Sequence, residues 1–173
     1  AWTTDVNAAA FGELKQGAAQ GMRSCVYLTI GTGIGAGIVI NEEIFQGAGH
    51  PEVGHTFVKR HPQDDYVGTC PYHKDCLEGL AAGPSLEART GIKGQHLPKD
   101  HEIWDLQAFY IGQALVNITL TVAPDRIVLG GGVMNQPHLL TKIHDQFTEQ
   151  MAGYMETPTV TEYIVAWGLP NKS

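Results

Sequence analysis

Residues 46–76 run through glycine, proline and histidine with almost no hydrophobic periodicity and end in "CPYHKDC" at 70–76. A segment this long cannot bury an apolar face of its own, so within a compact domain it needs a function or a staple. The sequence supplies material for a staple. Cys70, His73 and Cys76 stand three apart, and two thiols with an imidazole in one tight loop are zinc-type donors. The fourth donor has to come from elsewhere, and His50, His55 and His61 all lie upstream. A structural zinc contributes on the order of 10 kcal/mol to folding, enough to offset the ordering of such a coil. The plain alternative is a pair of reduced cysteines beside a surface histidine.

Around this loop the chain alternates helical and extended patterns. "DVNAAAFGELKQGAAQG" is alanine-rich and predicts a helix with Asp5 as its cap. "CVYLTI" and "GAGIVI" are short and β-branched, and predict adjacent strands joined by a glycine turn over Gly31–Gly35. "NEE" at 41–43 predicts a tight turn into a third strand at Ile44–Phe45. "LEGLAAG" and "PSLEART" predict two short helices, with Pro84 near the start of the second. In "EIWDLQAFYIGQALVNITLTV" the apolar residues Ile103, Leu106, Phe109, Tyr110, Leu115 and Ile118 recur near helical spacing, predicting a long, largely buried helix. "RIVLGGGV" predicts a strand running into glycines, "HLLTKIHDQFTEQMAGYM" an amphipathic helix, and "TEYIVAW" a closing strand. Strands interleaved with helices define an α/β layer architecture. Cys25, inside an apolar strand, is expected to be a core thiol. His96, His101, His138 and His144 have polar sequence neighbours and are expected at the surface.

Composition narrows the function classes. A net charge of −7 without any long basic run argues against a nucleic-acid partner. No stretch approaches the roughly 18 apolar residues of a membrane helix, so no membrane partner is expected. Three cysteines are too few and too uneven for a disulfide framework, which points to a reducing compartment, the cytoplasm. The chain opens at Ala1 without an initiator methionine, so it is expected to be a soluble piece of a longer protein.

Two glycine clusters and three carboxylates carry the remaining chemistry. "GTGIGAG" at 31–37 follows a strand, where backbone N–H groups can approach an anion that side chains would keep away. It lacks the Gly-Lys-Ser/Thr ending of a Walker A loop, and a strand follows where a dinucleotide fingerprint requires a helix. A simple glycine hairpin is the competing reading. "GGGV" at 130–133 stands between a strand and a helix, where α/β proteins receive ligands. Together the clusters suit the phosphates and the nucleoside of one nucleotide. Asp5 heads a helix, while Glu52 and Glu78 flank the cysteine loop.

The ordered set "TTDVNAAAFGE", "TIGTGIGAG", "GHPEVGH", "CPYHKDCLEGLAAGPSLEART" and "VLGGGVM" resembles the bacterial fructokinases of the ROK family (repressor, ORF, kinase), from Asp5 to about Trp167. The resemblance implies an actin-like ATPase fold, ribonuclease H-like, with a mixed sheet flanked by helices and a zinc-stabilised loop at about 50–78. It implies ATP-dependent phosphorylation of a hexose, with fructose attacked through its 6-hydroxyl. Asp5 matches the general base on that hydroxyl. Thr4, where many members carry asparagine, Asn7, Glu52, His55 and Glu78 match residues around the sugar. His55 also matches the upstream zinc ligand that joins Cys70, His73 and Cys76. Gly31, Thr32, Gly33 and Gly35 match the phosphate-holding turn, and Gly130, Gly131 and Gly132 the adenosine-side turn. Mg²⁺ with ATP, structural Zn²⁺, a homodimer and a cytoplasmic location are further implications. Nothing matches the family's amino-terminal Asp-x-Gly-Gly-Thr loop, so residues 1–173 are expected to be a carboxyl-terminal lobe that is inactive alone. The family also contains sugar-responsive repressors, which leaves a repressor lobe as one alternative and a bare zinc-stabilised interaction module as another.

Overall fold

A computed structural model describes residues 4–169. Five strands form one mixed sheet in the order β3-β2-β1-β4-β5: β1 Cys25–Ile30, β2 Ile34–Ile40, β3 Glu43–Ile44, β4 Arg126–Gly130 and β5 Ile164–Ala166. β2 runs antiparallel to β1 and to β3, whereas β4 is parallel to both β1 and β5. The helices are α1 Asp5–Gln16, α2 Leu77–Ala81, α3 Gly83–Thr90, α4 Ile103–Val122, α5 Pro137–Met151 and α6 Val160–Tyr163. This is the predicted α/β class, and among the described residues no helix is long and apolar enough to cross a membrane.

Side chains along β1 alternate between two cores. Val26, Leu28 and Ile30 join Ile34, Ala36, Ile38, Ile127 and Leu129 beneath α4 and α5. Cys25 and Tyr27 join Val39 and Val128 beneath Ala10 and Leu14 of α1. Burial on both faces explains why these strands are apolar almost throughout. It also pushes the Cys25 thiol up to about 12, with Glu13 and Asp125 adding to the effect, so this cysteine is the expected inert core thiol.

Helix α1 corrects one expectation. Thr4 is the cap, its hydroxyl accepting the Asn7 N–H at 3.2 Å, and Asp5 is the first helical residue. Capping therefore falls to a hydroxyl and leaves the Asp5 carboxylate exposed. The start of α1 lies on β2, where a Cβ at Gly37 would run into the Val6 carbonyl. At the far end the buried Glu13 carboxylate accepts the N–H groups of Ala18 at 2.7 Å, Gly168 at 3.0 Å and Leu169 at 3.0 Å. It ties α1 to the chain leaving β5.

The turn at 41–43 forms as predicted, with φ of 52° at Asn41 and 65° at Glu42. The closing strand is shorter than predicted. Thr161, Glu162 and Tyr163 coil into α6 because the Thr159 carbonyl accepts from Glu162 and Tyr163, and the Tyr163 hydroxyl is held by Thr119 Oγ1 at 2.9 Å. Of the four histidines expected at the surface only His96 is exposed. His101 is half-buried and accepts the Ile103 N–H, His138 packs edge-on against Trp104, and His144 Nε2 bonds the Ile164 carbonyl. Their polar neighbours are near in sequence, but in space His138 meets an aromatic ring, and His101 and His144 meet backbone groups.

Candidate active site

The loop over 46–76 folds around its own donors. A short 3₁₀ turn, Val53–His55, presents His55, and Gly54 is pressed so closely on the Ile34 carbonyl that a Cβ would not fit. Cys70 and Lys74 pair across a tight turn, with Lys74 N–H donating to Cys70 O at 3.0 Å. Cys76 pairs with Phe57 and begins α2. His55 Nδ1 lies 3.6 Å from Cys76 Sγ and 3.7 Å from Cys70 Sγ, and Cys70 Sγ lies 3.8 Å from His73 Nδ1. One donor atom from each of His55, Cys70, His73 and Cys76 falls within 4.8 Å of every other. A tetrahedral zinc with bonds of about 2.0–2.3 Å separates its ligands by roughly 3.3–3.8 Å, so the four side chains suit one. The His73 N–H, ahead of other donors, brings the Cys70 thiol down to about 6, which favours the thiolate a metal needs. Burial pushes the Cys76 thiol up.

Glu78 is the second residue of α2, in its first turn. Its Oε1 accepts the Ile34 N–H at 2.9 Å and its Oε2 stands 3.5 Å from His55 Nε2. A histidine that offers one ring nitrogen to a metal and the other to a carboxylate is a recurring arrangement. Glu52 is exposed, with its carboxylate 3.7 Å from His50 Nε2. Neither His50 nor His61 belongs to the four-donor cluster. Asp5 is exposed on the first turn of α1, while Asn7 beneath it is wholly buried against β2 and points away from solvent. Asn7 is therefore enclosed, and its amide has no partner among the described residues.

The two glycine clusters meet. Gly31 follows β1 and Gly132 follows β4, at the carboxyl ends of neighbouring parallel strands, and a Cβ on Gly31 would lie 3.9 Å from Gly132 N. Between them opens a cleft of about 400 Å³, lined by Gly31, Thr32, Gly83, Lys93, Trp104 and Gln136 among others. Only some of the expected glycines face it. Gly33 makes room for Glu78, since a Cβ would stand 2.7 Å from Oε1. Gly35 belongs to β2, paired with Thr29, and a Cβ there would stand 3.5 Å from Val6 Cγ1, an ordinary contact. Gly130 accommodates the Tyr27 hydroxyl, and Gly131, at φ 90°, lies against the Ile30 backbone. On the side a Cβ would occupy, Gly33, Gly130 and Gly131 face protein, whereas Gly31 and Gly132 line the cleft. Lys93, Gln95, Trp104 and Gln136 were not foreseen as lining residues. They come from a 3₁₀ turn, a helix and a loop with no motif of their own, so sequence carried no signal for them.

A mixed sheet with helices on both faces, two glycine turns at neighbouring strand ends and a Cys/His cluster beside them define a ROK-type lobe. The chain belongs to the ROK family, whose pattern it matches over residues 1–171. It is 52% identical over 167 residues to the fructokinase of Streptococcus mutans, covering 95% of this chain and 56% of that protein. To the fructokinase of Pediococcus pentosaceus it is 49% identical over 172 residues, covering 99% and 60%. Among solved structures, the ROK hexokinase of Thermus thermophilus superposes with a TM-score of 0.82 at 28% identity, covering 98% of this chain and 60% of that one. The chain thus spans a little over half the length of these relatives.

Proposed function

We propose that the protein containing this chain transfers the γ-phosphate of ATP to a hexose, with fructose as substrate and its 6-hydroxyl as acceptor. The observation that carries this reading is the cleft shared by the Gly31 and Gly132 turns, in a chain about half identical to two fructokinases. Residues 4–169 act as the carboxyl-terminal lobe, and an amino-terminal lobe with its own phosphate loop completes the site.

In this scheme Asp5 is the general base. A sugar hydroxyl is a poor nucleophile near neutral pH, and a carboxylate accepting its proton accelerates transfer by about 10²–10⁴-fold. Phosphoryl transfer otherwise depends on alignment and charge neutralisation. In the Gly31–Gly33 turn the Gly31 N–H closes on the Gly33 carbonyl at 2.9 Å, which leaves the N–H groups of Thr32 and Gly33 for the phosphates, and the Gly132 side of the cleft receives the nucleoside. Mg²⁺ arriving with ATP neutralises phosphate charge. Glu52, His55 and Glu78 hold sugar hydroxyls, and Thr4 adds its hydroxyl beside Asp5. Ile34, against which Glu78 and Gly54 both pack, is three residues from Gly37, where α1 begins. Three residues of strand span roughly 10 Å, a separation a hexose can bridge. His55, Cys70, His73 and Cys76 hold a zinc whose contribution is architectural, since four protein ligands leave no open position.

The test is a coupled ATPase assay of the full-length protein with a panel of hexoses, repeated with Asp5→Asn. Fructose is expected to give the highest kcat/KM, and the variant to lose about 10²–10⁴-fold in kcat with KM for fructose changed little. Near-normal turnover would remove Asp5 from its role.

A further inference from the structure

We propose that Glu78 is a positioning residue that makes the grip of the Gly31–Gly33 turn on nucleotide depend on whether the Cys/His centre is filled. The inference rests on the reading above that this turn holds phosphates.

The two oxygens of Glu78 are divided between two sites. Oε1 accepts the N–H of Ile34, the residue that ends the turn and opens β2. Oε2 faces His55 Nε2 at 3.5 Å, and the opposite nitrogen of that ring, Nδ1, faces both thiol sulfurs at 3.6 and 3.7 Å. A ring bound to a metal through Nδ1 has a fixed plane and must carry its proton on Nε2, so it donates to Glu78. The carboxylate is then anchored at one oxygen and presents the other to Ile34. Without that anchor the ring can turn, and Glu78 keeps one partner instead of two.

The turn is built to receive this carboxylate. Any side chain at Gly33 would displace Oε1. Gly54, the residue before His55, also packs closely on the Ile34 carbonyl. Both backbone groups of Ile34 thus meet neighbours of the Cys/His donors: Gly54 adjoins His55, and Glu78 is two residues beyond Cys76. A small pocket of about 140 Å³, lined by Thr32 of the turn, Cys70 of the centre and Glu78, shows that the two sites share a wall. Two sites that bias one shared element are coupled, and the coupling is reciprocal: nucleotide must tighten metal by the factor by which metal tightens nucleotide.

The experiment measures zinc affinity of the full-length protein by competition with a chromophoric chelator, with and without saturating ADP and with sugar absent. Omitting sugar keeps the sugar contacts of Glu78 out of the readout. ADP is expected to tighten zinc by about 5–150-fold in the unaltered protein. In Glu78→Gln the zinc affinity is expected to fall by about 10–100-fold, and the ADP effect to collapse toward none. Gly33→Ala reaches the same contact from the turn side without touching a metal ligand, and is expected to weaken zinc as well. Circular dichroism confirms the fold of each variant, and if Glu78→Gln does not fold, the unaltered protein and Gly33→Ala decide. Zinc affinity indifferent to ADP, in a protein that calorimetry finds to bind ADP, overturns the relay and leaves the kinase reading standing. Failure to bind ADP at all overturns both.

Discussion

Asp64 is 8% exposed and accepts four hydrogen bonds: from Arg89 Nη2 at 2.8 Å, Arg89 Nε at 3.3 Å, the Tyr110 hydroxyl at 2.6 Å and the Tyr66 N–H at 3.2 Å. Arg89 also donates to the Leu80 carbonyl at 2.7 Å, so one ion pair fastens the 59–66 segment to α2, α3 and α4. Burial alone would raise the Asp64 carboxyl, but the bonds from Tyr110 and Arg89 outweigh it and hold the carboxyl below its ordinary value of 3.8. A carboxyl depressed in the folded state contributes stability that is complete above 3.8 and is lost as pH falls through the lower native value. Removing one partner leaves the Arg89 charge buried and unpaired, so Asp64→Ala is expected to lower unfolding stability by about 3–5 kcal/mol in urea titrations near pH 7. The difference between variant and unaltered protein should shrink below pH 4, and a constant difference down to pH 2 would show that ionisation of Asp64 is not its source.

At the scale of elements, the 46–76 segment is ordered by four donors at one end and by Asp64 and Arg60 in the middle. Arg60 Nη2 reaches Asp75 at 3.0 Å, and its Nη1 donates to the carbonyls of Asp64 and Tyr66. Chelation of the metal, or Cys76→Ser, is expected to remove about one zinc per chain and to raise hydrogen exchange across residues 50–78, while α4 and α5 keep their protection. Exchange rising equally in α4 would mean that the centre holds the whole fold. The donor cluster was legible in sequence because three donors fall within seven positions, and α4 because its apolar residues keep helical spacing for five turns. Asp64 and Glu13 were not legible: their partners stand 25 and 155 residues away, and only the folded chain brings them together. The glycines were legible only as missing side chains: sequence marks where a Cβ is absent but not what lies beside the backbone, which at Gly33, Gly130 and Gly131 is protein.

For the whole molecule, strand direction decides where chemistry gathers. β1 and β4 run parallel and end at Gly31 and Gly132, while β2 runs the other way and begins at Ile34 on the same edge of the sheet. The cleft, Glu78 and the Cys/His loop therefore collect at this end of the sheet, while the start of α1 lies over β2 at Gly37. Gly83 is the joint between this edge and the helical layer: its N–H donates to the Gly31 carbonyl at 2.7 Å. A Cβ there would stand 3.0 Å from that carbonyl and 3.6 Å from Val133 Cγ2, at the lining of the cleft. Gly83→Val places two methyl groups in this space while leaving the N–H bond available. Calorimetry is expected to find ADP weakened by at least about tenfold, equivalent to about 1.4 kcal/mol. Metal content and fructose affinity are expected to match those of the unaltered protein, because the atoms nearest a Cβ at Gly83 belong to Gly31 and Val133 and not to the Cys/His cluster. If ADP bound the variant normally, the nucleotide would have to lie outside the space between the two glycine turns, since no ligand filling that space can ignore a branched side chain added to its wall.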